Sequence, residues 1–565
     1  MAKLLYPDFF NDVFGPIMQP GSSTSFAGNS RIGRIASHGV RGGVKRAKIR
    51  FNPEDRRHLS RLGNMMEDRA LLGGLQGFAP DDERLFRAHE LAREKNMSYE
   101  FGALDRANKY PLSTQFDVED STGEKGRLIG ASIGGGMIMV YEINGFPVSW
   151  QGDTHAILVE KTPAGAAAYN TFLKFVSTRP SDVPGGAFVQ STLTKNETGG
   201  EAWFVELSEP LPPEEVERVF PRRDFLLFPA ILPVVTFNGR RPQLFKTVDE
   251  WIAFAERKGI SFVQAAIEYE KAFSGWDDTR IGDYFERIRG IFFNQIHALE
   301  DRGTFPVADT PLLPVYGKQW KRYKDAGRVL QDPLASRIMD YAFSTNAKIP
   351  GVKIVPGPMG TGGGYLFSAL EGVREHRGFS VEKQREGLVV AAGLGAIAYS
   401  LCRASGASGC VGESGICCAM AAGAITWMSG GNGAQVQNAA SMALQANIGI
   451  PCDPIPGGLE FPCLTRTVRS AVTAPLYADM ALAGIDPLIP YHEMLLAIEA
   501  NRLKYGDAVS GPDCGTGCTA TAGRCRHFLA TEVMEGKRKW EAASPPQSPT
   551  STALPKDAPS FPFAR

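Results

Sequence analysis

Gly409-Cys-Val-Gly-Glu-Ser-Gly-Ile-Cys-Cys-Ala-Met420 runs on into Ala421-Ala-Gly-Ala-Ile-Thr426 and is preceded by the apolar run Gly387 to Cys402. Ala, Gly and Ser allow helices to pack closely but give weak amphipathicity, so these segments are expected to be helices buried on most sides. Helical periodicity covers 381–403, 418–428 and 434–446, and upstream 333–344 and 366–376. Three cysteines fall between these runs: Cys410, Cys452 before Asp453-Pro454, and Cys463 after Pro462. Each is flanked by Gly or Pro, which predicts loops from which thiolates of separate segments can face one space. A mostly α-helical domain is therefore expected over residues 241–535.

The nine cysteines all lie between 402 and 525, and the first 401 residues contain none. An odd count confined to one segment of a large chain argues against a disulfide framework and for thiolate metal ligation. Three Cys ligands on a four-iron cluster leave one iron open to substrate, where it acts as a Lewis acid. The alternative is that these are buried free cysteines in an Ala-rich core. A second group, Cys514-x3-Cys518-x6-Cys525-x-His527, matches no standard zinc spacing closely; a further cluster ligand, a separate zinc site and structural cysteines all remain open.

At ~150 residues per domain, 565 residues imply three or four domains. Sixty-one basic residues balance sixty-one acidic ones, so no long-range field attracts nucleic acid or an anionic membrane. Gly387 to Cys402 is shorter than the ~18 residues of a bilayer span. Met1 to Phe10 lacks the basic start and apolar stretch of a signal peptide, so a cytoplasmic location is expected.

Upstream of the helical domain the texture differs. Residues 1–125 mix Gly-rich loops with helices, and Gly21-Ser-Ser-Thr-Ser-Phe-Ala-Gly28 offers hydroxyls and amides suited to a small anion, or an ordinary Ser/Gly loop. Over 126–240 the pattern turns to strands: Met137 to Tyr141, the turn signal Asn144-Gly145, His155 to Val159, then a helix from Ala164 to Val176. This reads as a small α+β module. Thr247-Val-Asp-Glu250 is a capping box opening the helical domain. Gly357-Pro-Met-Gly-Thr-Gly-Gly-Gly364 precedes a helix and lacks the Gly-Lys-Ser/Thr of a Walker loop, so a substrate carboxylate suits it better than a nucleotide, with a plain tight loop as the alternative. The Pro/Ser/Ala-rich tail, 544–565, is expected to be disordered.

Together these residues resemble the iron–sulfur-dependent L-serine dehydratases (L-serine ammonia-lyases) in their single-chain β+α form. Gly409 to Met420 is similar to the family's Gly-Cys-Gln-Gly-Glu-Val-Gly stretch with its Cys-Ser-Met continuation. Cys452-Asp-Pro-Ile-Pro-Gly-Gly458 and Phe461-Pro-Cys463 are similar to its Cys-Asp-Pro-Val-Gly-Gly and Val-Pro-Cys motifs. In the β region the resemblance rests on Ala131-Ser-Ile-Gly-Gly-Gly136, Glu142-Ile-Asn-Gly-Phe146 and Gly73-Gly-Leu-Gln-Gly-Phe78. It implies an ACT/ASB-like module within 126–240, a [4Fe-4S] cluster on Cys410, Cys452 and Cys463, with Cys514 and Cys518 as further candidates, and no pyridoxal phosphate. It also implies that Ser22, Ser23 and Thr24, with Gly360, Thr361 and Gly362, hold a small amino-acid or hydroxy-acid substrate.

The departures from the family pattern are as specific as the match. The family's Pro-Ser-Ser-Ser-His-Thr reads Gly21-Ser-Ser-Thr-Ser-Phe26 here, which puts Ser25, a weak base, at the catalytic histidine position. Gly-His-Gly-Thr-Asp has become Asn64-Met-Met-Glu-Asp68, and the Pro-Thr-Ala-Gly-Ser loop has become Pro356 to Gly364. His38 is near Ser25 in sequence only. The expected activity is elimination of water or another β-substituent from L-serine or a related acid, giving a 2-oxo acid and ammonia, in a homodimer. The alternative is a non-catalytic homologue that binds an amino acid or senses redox state through its cluster.

Overall fold

The computed structural model describes residues 6–53, 66–110, 112–177, 188–218, 220, 224–238, 240–301, 316–357, 362–452 and 461–506. Its N-terminal part is mixed α/β and its C-terminal part is helical, as the sequence texture predicts. Cys514, Cys518, Cys525, His527, the 544–565 tail, Gly360 and Thr361 lie outside the described residues.

The N-terminal segment enters a short helical turn at Phe9–Val13, whose N-terminus is capped by Asp8. A second turn, Ser23–Gly28, leads directly into α1 (Asn29–Ala36). A six-stranded sheet follows, built from β1 (Val44–Phe51), β2 (Ser98–Ala103), β3 (Thr114–Asp120), β4 (Lys125–Gly134), β5 (Met137–Ile143) and β6 (Phe146–Trp150). Its order is β2-β1-β3-β4-β5-β6, with β1 and β2 parallel and every other pair antiparallel. Two helices between β1 and β2, α2 (Glu67–Leu75) and α3 (Ala88–Glu94), supply the crossover that a parallel pair requires. Strict alternation along β3 turns Phe116 and Val118 inward, where they meet Ile32 and Ile35 of α1 and Leu71 and Leu72 of α2.

The second sheet holds β7 (His155–Glu160), β8 (Phe188–Lys195), β9 (Glu201–Leu207) and β10 (Phe225–Phe228) in the order β10-β7-β9-β8, all antiparallel. With α4 (Pro163–Ser177) after β7 and α5 (Pro213–Glu217) after β9, the chain order is β-α-β-β-α-β, the ferredoxin-like arrangement. β4 pairs with β3 and carries β5 and β6 into the same sheet as β1 and β2, so strands on both sides of residue 125 share one sheet.

The helical domain begins with α6 (Val248–Lys258), which Thr247 caps by accepting the Glu250 N–H at 3.1 Å. It continues through α7 (Phe262–Ser274), α8 (Asp278–Asp301), α9 (Tyr316–Asp325), α10 (Pro333–Asn346) and α11 (Gly362–Arg377). α12 (Val381–Leu401), α13 (Ser414–Met428), α14 (Gly433–Gln445), α15 (Phe461–Leu482) and α16 (Tyr491–Tyr505) complete it. α13 is buried on all sides by α12, α14 and α15, which its run of Cys, Ala and Gly permits. Gly393 on α12 lies where a Cβ would meet the Trp251 ring at 2.4 Å, so the absence of a side chain lets α12 close on α6. Among the described residues, Cys410–Met428 is the only stretch long and apolar enough to cross a membrane, and 89 % of it is buried inside the fold.

Candidate functional site

The Ser-rich turn and the glycine loop come from segments more than 300 residues apart, and one short backbone ladder joins them. Met18 N–H donates to Ile354 O at 3.0 Å and Ile354 N–H donates back at 2.8 Å. One residue further on, Gln19 accepts the Gly351 N–H at 3.0 Å. A Cβ on Gly357 would stand 1.8 Å from Val13 O, so only glycine lets these backbones run side by side. Residues 19–25 and the Val355–Gly357 segment thus leave the ladder together.

Ser22 to Ser25 are expected in a loop, but the structure winds Ser23–Gly28 into a helical turn. The cause is local: Ser22 Oγ accepts the Ser25 N–H at 3.2 Å and caps the turn. Ser23 and Ser25 are buried and Thr24 is half-buried. His38 closes the far end of α1 beside β10, where burial lowers its pKa.

On the helical side, the Gly362 N–H donates to Pro356 O at 2.9 Å and starts α11 four residues before the periodicity alone would. Its Cα faces Cys417 so closely that a Cβ would sit 2.3 Å from Sγ. α13 likewise starts earlier than its sequence pattern predicts, at Ser414, so Cys417 and Cys418 are helical core residues. Burial pushes both thiols up, Cys418 to about 12.

Cys410 behaves differently. It sits in a tight turn before α13, fixed by its N–H to Ile450 O at 2.8 Å. Gly409 (φ 84°) approaches the same carbonyl so closely that a Cβ would lie 2.5 Å from it. The Cys463 thiol lies against that of Cys410 and is the main reason the Cys410 pKa falls to about 6, against an opposing burial effect. Ser414 Oγ at 3.0 Å and the Arg466 charge act in the same direction. Cys463 lies in the first turn of α15 rather than in a loop, because Pro462 is tolerated where helix N–H groups have no partner anyway. Cys452 approaches from the adjoining segment: the space a Gly406 Cβ would fill is 3.0 Å from Cys452 Sγ and 3.3 Å from Glu413 Oε1. Arg466 Nη1 donates to Pro451 O at 2.8 Å and ties this segment to α15.

Among the described residues, no three Cys, His, Asp or Glu side chains are set at metal-holding positions. The donor chemistry nevertheless fits thiolate ligation: Cys410 and Cys463 are in contact, one of them ionises readily, and Cys452 is on the neighbouring segment.

Sequence reading missed two groups near the junction of the two halves. Burial is the main reason the pKa of Tyr399 on α12 rises, and Asp12, at the end of the first helical turn, lies close enough for its charge to add to that shift. Arg31 on α1 is buried and donates Nη1 to Gly136 O at 2.5 Å. A lone Arg and a lone Asp in helical turns carry no pattern that would single them out.

The serine dehydratase alpha chain family matches residues 257–502. The L-serine dehydratase alpha chain of Peptoniphilus asaccharolyticus is 26 % identical over 257 residues, 45 % of this chain and 87 % of that relative. The N-terminal part is similar to the probable L-serine dehydratase beta chain of Bacillus subtilis, 35 % identical over 174 residues, 29 % of this chain and 74 % of that relative. The L-serine dehydratase of Streptomyces coelicolor is 32 % identical over 252 residues, 42 % of this chain, a match spanning about half (53 %) of that relative's length. With alpha-type and beta-type regions in one polypeptide, the chain belongs to the L-serine dehydratase family of dehydratase/ammonia-lyase enzymes.

Proposed function

We propose that this protein is a [4Fe-4S]-dependent lyase acting on L-serine or a closely related β-substituted acid in the cytoplasm, with Cys410, Cys452 and Cys463 as cluster ligands. The observation carrying this reading is the Cys410–Cys463 contact, which holds one thiol near a pKa of 6 at the buried start of α13. When bound, such a cluster supplies Lewis acidity toward a hydroxyl leaving group.

The chain's own residues do the rest. Ser23 and Thr24, carried on a capped turn, bind and orient the substrate beside the N-terminus of α11. Loss of the Cα proton and of hydroxide yields an aminoacrylate, which tautomerises and hydrolyses to pyruvate and ammonia. Ser25 occupies the position of the family's acid/base but is a weak base unless activated. A positioned base is worth ~10²–10⁴ in rate, so turnover of serine is expected to be slow, or faster on a substrate with a better leaving group. The β-α-β-β-α-β unit at 155–228 supports the ACT-like reading of the small module.

A second reading, a homologue that binds an amino acid without turnover, is favoured by Ser25 and Met65 in place of the two family histidines. Anaerobic absorption and electron paramagnetic resonance spectra, before and after L-serine, separate the two. An oxygen-labile cluster whose signal shifts with serine, together with pyruvate release, supports the lyase. A shift without pyruvate supports the binder, and absence of a cluster after reconstitution removes the metal reading.

A further inference from the structure

Arg31 is 4 % exposed, and its one hydrogen bond among the described residues joins Nη1 to Gly136 O. Nε is fully buried with no partner. Nε and Nη2 form one edge of the planar guanidinium, the edge that grips a carboxylate with two parallel hydrogen bonds. The bond to Gly136 engages the remaining nitrogen and leaves that fork open. Gly136 is itself fixed, since a Cβ there would meet Pro16 at 2.8 Å.

A second unsatisfied group lies beside the same helix face. Ser132 Oγ is buried without a partner and occupies the space a Gly28 Cβ would fill, 2.1 Å away. Gly28 precedes Arg31 by three residues, so the two lie on one face of the turn. A buried cation without an anion is costly, and here an unsatisfied hydroxyl donor adds to it. The surroundings compensate only in part. Asp12 and Tyr284 favour the charged guanidinium and Arg34 opposes it, while Asp12 accepts the Asp8 N–H at 3.0 Å.

We infer that the Nε–Nη2 edge of Arg31, with Ser132 Oγ beside it, binds the carboxylate of an α-amino or α-hydroxy acid at the N-terminal wall of the site. The inference deepens the lyase reading and rests on it for the identity of the acid. Arg31 is a binding residue and takes no part in proton transfer.

The test is equilibrium binding to the anaerobic holoenzyme of L-serine, L-serinamide, which lacks the carboxylate, and L-lactate, which lacks the amine. Wild type is expected to prefer L-serine over L-serinamide by at least ~10-fold, and Arg31→Gln to erase that preference, as loss of a charge-assisted bidentate contact requires. Arg31→Lys, which keeps the charge but not the fork, is expected to fall between them. An Arg31→Gln protein with native circular dichroism and iron content that keeps the preference overturns the inference. If Arg31→Gln does not fold, undiminished serine affinity in Arg31→Lys overturns it instead. Lactate binding that depends on Arg31 in a protein that never turns over serine leaves the carboxylate site standing and removes the serine reading alone.

Discussion

Gly362 and Cys417 are in direct contact: the first residue of α11 rests on the thiol of α13, with room for a hydrogen and none for a methyl. The contact couples the glycine loop, on the substrate side, to the helix that follows Cys410. Gly362→Ala would place Cβ 2.3 Å from Sγ. The expected cost is ~1–3 kcal/mol of overpacking, with a loss of activity larger than the loss of stability because α11 shifts relative to α13. Adding Cys417→Ala opens the space and should restore most of both. Thermal melts and turnover of the single and double variants check this.

The cysteines divide into two physical classes, and substitution should separate them. Cys410→Ser and Cys463→Ser remove the two thiols that meet, and each should lower bound iron by at least ~10-fold and abolish activity with it. Cys402 is the contrast. It is buried at the end of α12, its Sγ lies 3.3 Å from Ala398 O, and burial raises its pKa to about 12. Cys402→Ser should retain iron and lose only modest stability. Iron analysis of the purified proteins distinguishes the classes, and iron retained in Cys410→Ser would remove Cys410 from the ligand set.

Ser22 separates a structural from a binding role for the Ser-rich turn. Its hydroxyl caps Ser23–Gly28, so Ser22→Ala should cost ~0.5–2 kcal/mol. Asn is an equally good cap, and Ser22→Asn should restore both stability and KM. Recovery of the melting temperature without recovery of KM would show instead that the hydroxyl itself touches substrate.

Much of this architecture is legible from side-chain type alone. The capping signal at Thr247, the hairpin at Asn144-Gly145 and the small-residue helices around Gly409–Met428 each follow from local chemistry, and each is present in the fold. What sequence could not supply is contact across long separations. The Met18–Ile354 bridge, the Gly357–Val13 approach and the Gly362–Cys417 contact bring together segments whose patterns do not refer to one another. Local pattern also set two helix starts too late. Gly362-Gly-Gly364 and Ser414-Gly415 are poor helix formers that become helical because neighbouring helices bury them. Arg31 was invisible for another reason: its unsatisfied edge is a property of what surrounds it.

The buried acids near the N-terminus give the stability a pH dependence with a definite sign. Asp8 is fully buried, and its Oδ1 accepts the N–H groups of Phe10 at 2.7 Å and Asn11 at 2.5 Å. Burial, reinforced by the Asp12 charge, lifts its carboxyl from the ordinary 3.8 to about 8. Glu270, which accepts the Phe9 N–H at 2.8 Å, is raised for the same reason, with Asp8 contributing. In the folded protein Asp8 is therefore protonated at neutral pH, whereas in the unfolded chain it ionises near 4. Unfolding then releases a proton throughout that window, so this contribution to stability is complete below pH 4 and declines until about pH 8. The wild-type melting temperature should fall by several degrees between pH 5 and pH 8 from these acids. Asp8→Asn keeps an oxygen for the two N–H groups and has no charge to bury. It should match wild type at pH 5, exceed it at pH 8, and show a flatter profile between. Parallel pH profiles for wild type and Asp8→Asn would indicate an Asp8 that is already ionised in the folded state.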